Sequence, residues 1–370
     1  MTADPAWFAD RARLEDGNWL FATYVFETER EPREAAADLC REQSTAQWAR
    51  PGVTEDFRPR HGAKVVALRT LRSSPAPLHP SPFDGPGPFA TAEVVVALPA
   101  GNFGANFGML LTTLLGEGTF FTPGIATIRL TDLQVPDAYA NRFPGPQFGV
   151  EGLRASFGVK ARPFLFGVVK PNVGLDPASF AALAEAAWRG GLDACKDDEQ
   201  LADAVWSPLA ERARLCGEAR RRAEAETGEK KIYVSNITDE IARLRPHHDA
   251  ALAGGANTLM LNALPLGLPA ARYVREWARV PLLAHFDMVA SVSRAPGFGV
   301  ESAVLTLLQR MAGFDIILFP GLGARMRSTE AEVRANIEAC RRPLGTLRAA
   351  LPVPGGSSVP GDLAGIRALV

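Results

Sequence analysis

From Asn18 to about Pro136 the apolar and polar positions predict the order strand, helix, strand, strand, helix, strand. Trp19–Glu27 (WLFATYVFE) alternates aromatic and small residues, the period of two expected of a half-buried strand. Arg33–Ser44, rich in Ala, Leu and Glu, reads as a helix. Ala63–Leu71 and Thr91–Ala100 are Val-rich strands, and the Pro, Ser and Gly of Ser73–Pro88 between them mark a loop. Phe103–Leu115 reads as an apolar helix and Ile125–Leu130 as a further strand. That order suits a small α+β sandwich of the ferredoxin-like kind.

After Pro144 strands and helices alternate. The predicted strands are Phe164–Lys170, Leu192–Lys196, Lys231–Ser235, Thr258–Leu261, Pro281–His285, Phe314–Phe319 and Leu351–Pro354. They are short and continuously apolar, as strands buried on both faces of a parallel sheet are. Between them lie helices with start and stop signals, such as Asp176-Pro177 before Ala178–Arg189 and Gly190-Gly191 after it. Seven such units predict an α/β chain whose barrel is of the (β/α)₈ type, with catalytic groups at the C-terminal strand ends. The division expected is a ferredoxin-like domain over residues 1–145 and a barrel over 146–370. A seventh helix, Pro360–Leu369, precedes Val370, so an eighth strand is unaccounted for: either the chain is truncated or the last stave is supplied otherwise.

Composition narrows the function. Of 370 residues 47% are hydrophobic, enough for two domains with a large core. With 40 basic and 41 acidic residues the net charge is −1, which argues against a nucleic-acid binder. No apolar run reaches the roughly 18–20 residues of a membrane span, and Met1 to Gly17 carries no signal-peptide core. Cys40, Cys195, Cys216 and Cys340 show neither disulfide nor metal-ligand spacing. These features predict a cytoplasmic enzyme with reduced thiols, acting on a small molecule.

Polar residues recur where the apolar strands stop: Lys170-Pro171-Asn172, Lys196-Asp197-Asp198-Glu199, Asn236, Asn262 and His285-Phe286-Asp287. Asp and Glu are hard oxygen ligands suited to Mg²⁺. Lys196, two residues before Asp198, shares its side of an extended chain. An ammonium cannot bind a cation, whereas the carbamate formed from a lysine and CO₂ can. By itself such a tetrapeptide is more often a charged loop capping the next helix.

The wider context resembles the RuBisCO superfamily. Gly167-Val168-Val169-Lys170-Pro171-Asn172-Val173-Gly174-Leu175, Trp188-Arg189-Gly190-Gly191-Leu192-Asp193 and Lys196-Asp197-Asp198-Glu199 are similar to its signature on the first two barrel strands. Glu42-Gln43-Ser44-Thr45-Ala46-Gln47-Trp48 resembles the active-site segment of its first domain. Ile128–Pro136 and Phe143-Pro144-Gly145-Pro146 resemble its inter-domain connection. The resemblance implies Mg²⁺ held by a carbamate on Lys196 with Asp198 and Glu199, and Lys170 beside the metal as an acid/base or electrostatic group. It implies a head-to-tail homodimer in which Glu42 and its neighbours Gln47 and Trp48 complete the partner's barrel site. Glu117 sits near a metal-side asparagine of the carboxylases, and Gly355 and Gly356 correspond to their phosphate-binding backbone.

Departures from the carboxylase pattern point to a RuBisCO-like protein. Asn172 stands where carboxylases carry a second lysine, and Arg325 aligns with their mobile-loop lysine, an exchange that keeps charge but not shape. His285 matches an active-site histidine. Phe286, Leu318 and Gly355 replace the arginine, histidine and serine that together hold one phosphate. Without those donors a buried dianion is unsupported, so the substrate's group at that end is expected to be apolar or uncharged. The reading is Mg²⁺-dependent enolisation, of isomerase, tautomerase or decarboxylase type, of a small keto compound bearing at most one phosphate, without CO₂ fixation. A catalytically silent homologue is the alternative, and a true carboxylase stands behind both. Among lesser features, His247-His248 is expected to be exposed, Asp287 to cap a loop in preference to serving as a base behind the site, Cys195 to pack away from the site, and Arg220–Arg222 to lie on a solvated helix face.

Overall fold

The computed structural model describes residues 4–14, 18–47, 51–52, 54–323 and 325–356. Trp48 and the expected helix Pro360–Leu369 lie outside them. The chain divides into two compact units. The first holds residues up to Phe143 together with Ala290–Leu305 and Leu344–Thr346; the second holds Pro144–Val289, Thr306–Pro343 and the residues from Leu347 onward.

In the first unit, β1 (Trp19–Thr28), β2 (Lys64–Ser74), β3 (Phe89–Pro99) and β4 (Ile125–Gln134) form an antiparallel sheet with the helices Pro32–Glu42 and Phe107–Leu115. The spatial order is β4-β1-β3-β2, the ferredoxin-like arrangement expected from the sequence. Alternation does the work in β1: Leu20, Ala22, Tyr24 and Phe26 are all buried and lie on one face. The Pro-rich loop after β2 is anchored from below, because buried Glu27 accepts hydrogen bonds from the Leu78 N–H at 2.7 Å and the Thr127 hydroxyl at 2.9 Å.

A further strand, β10 (Phe298–Val300), joins this sheet parallel to β4 and was not foreseen. Three residues are too few for a periodic signal. It is held by a side chain instead. Arg129 of β4 donates to the carbonyls of Ser293, Ala295 and Phe298 and pairs with Glu301 at 3.1 Å.

The second unit contains all seven expected strands. In chain order these are β5 (Phe166–Val168), β6 (Ala194–Lys196), β7 (Ile232–Asn236), β8 (Thr258–Asn262), β9 (Leu282–His285), β11 (Ile316–Pro320) and β12 (Leu351–Gly355). They pair in parallel and in sequence order from β5 to β12. No eighth strand closes this sheet among the described residues. Its inner face is a core of Ala194, Ile232, Val234, Met260, Leu283, Ile316, Leu318 and Leu351, plugged by Leu153 and Phe157 of the helix Gly149–Phe157. Asp315 ties that helix in: its carboxylate accepts from the N–H groups of Phe148, Gly149 and Leu282 and from Arg275 at 3.1 Å.

One expectation about the helices fails. His247 and His248 are buried, 3% and 7% exposed. In the helix Ile241–Gly254 the inward stripe is Leu244, His247, His248 and Ala251, the helical spacing of one face. His247 meets Asp239 at 2.6 Å, and the His248 ring packs edge-on against Trp277. No described helix is long and apolar enough to cross a membrane.

Candidate active site

Along the inner face of β6 to β9 the apolar residues give way, at the C-terminal strand ends, to Lys196, Asn236, Asn262 and His285. Asn262 and His285 face one another in register across β8 and β9. Lys196 is 6% exposed; its Nζ lies 3.2 Å from Glu199 Oε2 and donates to the Asp197 carbonyl at 3.0 Å. Asp198 is fully buried, and its Oδ2 is 2.5 Å from the Nζ of Lys170, which follows β5. Glu199 Oε2 is also 3.3 Å from His285 Nε2, and His285 Nδ1 lies 2.8 Å from Asp287 Oδ2. Lys170, Lys196, Asp198, Glu199 and His285 thus form one cluster in which the two lysines and the histidine ring each meet a carboxylate.

Burial pushes the Lys196 amine below the usual lysine range, although Glu199, Asp198 and Asp197 pull the other way. A buried amine is thereby shifted toward its neutral, nucleophilic form. Burial alone would raise the Glu199 carboxyl, but the neighbouring Lys196 and His285 outweigh it and hold the group below the usual carboxylate range.

Backbone alternation sends Asp197 the opposite way, into the layer between sheet and helices. There its buried carboxylate accepts from Arg212 at 3.2 Å, the Tyr233 hydroxyl at 3.0 Å, Ser235 Oγ at 3.2 Å and the Asn236 N–H at 2.9 Å. The next two residues are gripped by their main chain. Asn236 Nδ2 donates to the Asp198 and Glu199 carbonyls, and Asn262 Nδ2 donates to the Glu199 carbonyl at 2.9 Å. Arg212 was missed in the sequence. Its signal was there: it occupies the inward spacing Leu209, Arg212, Ala213, Cys216 of the helix Leu209–Thr227, where a cation needs a buried partner.

The other candidates distribute as follows. Asn172 Nδ2 donates to Gln200 Oε1 at 3.2 Å, next to the acidic segment. Arg325 is exposed in a turn after β11, and Gly355 and Gly356 close β12. Glu42, Gln47 and Glu117 belong to the first unit. Glu42 pairs with Arg41 at 3.0 Å, Gln47 bonds the main chain of Glu55 and Phe57, and Glu117 is exposed before the short helix Gly118–Phe121. Asp287 does not act as the expected loop cap; the return of the chain after β9 turns its carboxylate onto His285. Cys195 packs away from the cluster, its Sγ against the Ala184 carbonyl.

Phe286 is central to the site's shape. Its ring stacks on His285 with centroids 4.6 Å apart and planes 18° from parallel, and it packs on the core that includes Leu318 and Val353. A Cβ added at Gly355 would come within 2.9 Å of the Phe286 ring. An aromatic side chain and a bare glycine therefore share one space at the ends of β9 and β12.

Among the described residues no group of three or more His, Cys, Asp and Glu side chains is placed to hold a metal ion. Asp198 and Glu199 supply two hard oxygen donors, and a carbamate on Lys196 would supply a third. Asn262 Oδ1, on the side chain that grips Glu199, is buried with no hydrogen-bond partner. An all-oxygen donor set with one orphaned acceptor at its edge fits Mg²⁺ on the condition that Lys196 is carbamylated.

Comparison with known proteins places the fold. Residues 149–346 match the family described as ribulose bisphosphate carboxylase large chain, catalytic domain. Ribulose bisphosphate carboxylase-like protein 2 of Rhodopseudomonas palustris is 50% identical over 365 residues, spanning 96% of this chain and 83% of that protein. The 3-oxo-isoapionate-4-phosphate decarboxylase of Rhizobium rhizogenes is 31% identical over 327 residues, 87% of this chain and 77% of that one. The crystal structure of a rubisco-like protein from Burkholderia fungorum superposes with a TM-score of 0.88 at 29% identity, covering 95% of this chain and 86% of that chain.

Proposed function

The chain belongs to the ribulose bisphosphate carboxylase large-chain family, among its RuBisCO-like proteins, and on that premise we propose that it enolises a small keto substrate at a Mg²⁺ site without fixing CO₂. The observation that carries the reading is the meeting of Lys196, Asp198 and Glu199, with Lys170 and His285 in direct contact with the two carboxylates. Carbamylated Lys196, Asp198 and Glu199 would hold the cation. When bound, Mg²⁺ supplies Lewis-acid polarisation of the substrate carbonyl, which acidifies the adjacent C–H. Lys170 sets a positive charge beside the substrate oxygen, and His285 receives the proton.

The substrate carries at most one phosphate. Phe286 fills the space against Gly355 and brings no donor, so that end of the site favours a neutral or apolar arm over a dianion. Asn172, Arg325 and the backbone of Gly355 and Gly356 contribute polar contacts to the remaining arm. A relative at 31% identity carries the name of a decarboxylase of a singly phosphorylated sugar acid, which suits the same reading and leaves isomerisation and decarboxylation as its two forms. Glu42, Gln47, Trp48 and Glu117 complete the site from the partner subunit of a homodimer in the cytoplasm.

The test is deuterium wash-in from solvent, with MgCl₂ and bicarbonate, into 5-deoxyribulose 1-phosphate, ribulose 5-phosphate and ribulose 1,5-bisphosphate. Exchange is expected in a singly phosphorylated compound, with loss in Lys196→Ala. Mg²⁺ at a hundredfold excess over its Kd should stabilise the wild type by about 2.7 kcal/mol, and only when bicarbonate is present. Equal stabilisation of Lys196→Ala, or no exchange in any of the three, defeats the proposal. The Lys170–Asp198 ion pair, which occupies one ligand carboxylate, favours a catalytically silent homologue as the second reading, and that reading expects no Mg²⁺ affinity at all.

A further inference from the structure

The carboxylates of Asp198 and Glu199 meet lysines, but their main chain is fixed from two other strands. Asn236, fully buried at the end of β7, donates from Nδ2 to the Asp198 and Glu199 carbonyls, each at 3.2 Å. Asn262, at the end of β8, donates to the Glu199 carbonyl at 2.9 Å. A carbonyl oxygen has two lone pairs, and both on Glu199 are thereby occupied. Thr238 joins the two asparagines: its hydroxyl donates to Asn236 Oδ1 at 2.7 Å and accepts from the Asn262 N–H at 2.9 Å. Asp198 in turn orders the chain that follows, accepting from the Gln200 N–H at Oδ1 and from the Leu201 N–H at its carbonyl, both at 3.0 Å.

From this network we propose that Asn236 and Asn262 are positioning residues for the acidic pair, clamping the Asp198–Glu199 main chain so that the two carboxylates keep the placement a hard cation requires. The consequence for Mg²⁺ rests on the function proposed above; the clamp itself does not. Mg²⁺ demands near-ideal octahedral geometry, so a small shift of the main chain that carries its ligands lowers affinity. Partners that orient ligands in this way govern metal affinity by about 10- to 100-fold. The same two strands carry a control at their other end. Asn257, just before β8, accepts from the Tyr233 N–H and donates to the Lys231 carbonyl, both at 2.9 Å. It braces the start of β7 with the same amide chemistry that Asn262 applies at the acidic pair.

Isothermal titration of the full chain with MgCl₂ in excess bicarbonate tests this, with thermal unfolding recorded alongside. Asn262→Ala should raise the Kd about 10- to 100-fold. Thr238→Val, which keeps the side-chain volume and removes the linking hydroxyl, should also raise it, and Thr238→Ser should restore it. Asn236 is probed through Thr238 because its own side chain makes four hydrogen bonds, whose joint loss threatens the fold. Asn257→Ala should lower the melting temperature and leave the Kd unchanged. Amide hydrogen exchange, read by mass spectrometry without metal, supplies a second measure. The peptide spanning Asp198 to Leu201 should exchange faster in Asn262→Ala and Thr238→Val, and at the wild-type rate in Asn257→Ala. An unchanged Kd in Asn262→Ala, an equal rise in Asn257→Ala, or no restoration in Thr238→Ser overturns the proposal. If the wild type takes up no Mg²⁺, the metal reading fails, and hydrogen exchange alone decides whether the asparagines hold the acidic pair: an unaltered rate in Asn262→Ala overturns the clamp.

Discussion

Replacing Asp197 by alanine removes a carboxylate that points away from the Lys196–Glu199 cluster, yet it should be among the most damaging single changes in the second unit. The side chain is fully buried and accepts four hydrogen bonds, one from Arg212, which is itself fully buried. The other partners of Arg212 are the neutral oxygens of Ala202 and Ser207. Without Asp197 its charge has no counter-ion in the interior, and breaking a buried pair by deleting one member costs about 3–5 kcal/mol. The Tyr233 hydroxyl and the Asn236 N–H also lose an acceptor, at about 1–3 kcal/mol for each group left unsatisfied. These losses share one partner and do not add in full, so a total near the upper end of the first range is expected. At about 2 °C per kcal/mol for a chain of this size, the melting transition of the second unit should fall by about 10 °C. Differential scanning calorimetry reads it directly. A variant melting within about 2 °C of the wild type would refute the reasoning, since it lies well below the shift a buried pair implies. The double variant Asp197→Leu, Arg212→Met removes both partners and should cost less than Asp197→Ala alone, because no orphan charge remains.

Two further outcomes follow from the geometry. Gly355→Ala forces a methyl to within 2.9 Å of the Phe286 ring, so it should cost about 1–3 kcal/mol by overpacking, and the cost should shrink in the Phe286→Ala background. Additive denaturation free energies in that cycle would show that the two positions do not share space. A hydrogen bond from His247 is the main cause holding the Asp239 carboxyl below its usual range. A depressed carboxyl stabilises the fold above its unfolded value near pH 3.9, and loses that contribution as the pH falls through the lower folded value. The stability gap between wild type and Asp239→Asn should therefore be open at neutral pH and close below about pH 4; a gap that widens in acid contradicts the sign.

Much of the architecture was legible because it is written in periods. Aromatic and small residues alternating through Trp19–Glu27, and seven apolar runs at regular spacing, needed only local geometry to be recognised. Lys196 and Asp198 were placed on one side of the chain by the same period of two, and the departure of Asp197 to the other side follows from it. The helical stripe that buries His247 and His248 was equally available, but their polarity argued for the surface, and the partners that make burial tolerable, Asp239 and Trp277, lie eight residues before and some thirty after. The strand Phe298–Val300 carried no signal at all, since three residues hold less than two periods.

The sequence by itself determined which elements form, their order, and the kind of chemistry that gathers at the strand ends. Periodicity, caps and apolar runs are properties of neighbouring residues, and the chain carries them unfolded. Only the tertiary structure decided which charges face one another: Lys170 with Asp198, Arg212 with Asp197, Asp287 with His285 rather than a loop amide. Those pairings join separate strands or turn on a single bend of the backbone. Their energies depend on distance and exclusion of water, and neither exists until the sheet has assembled.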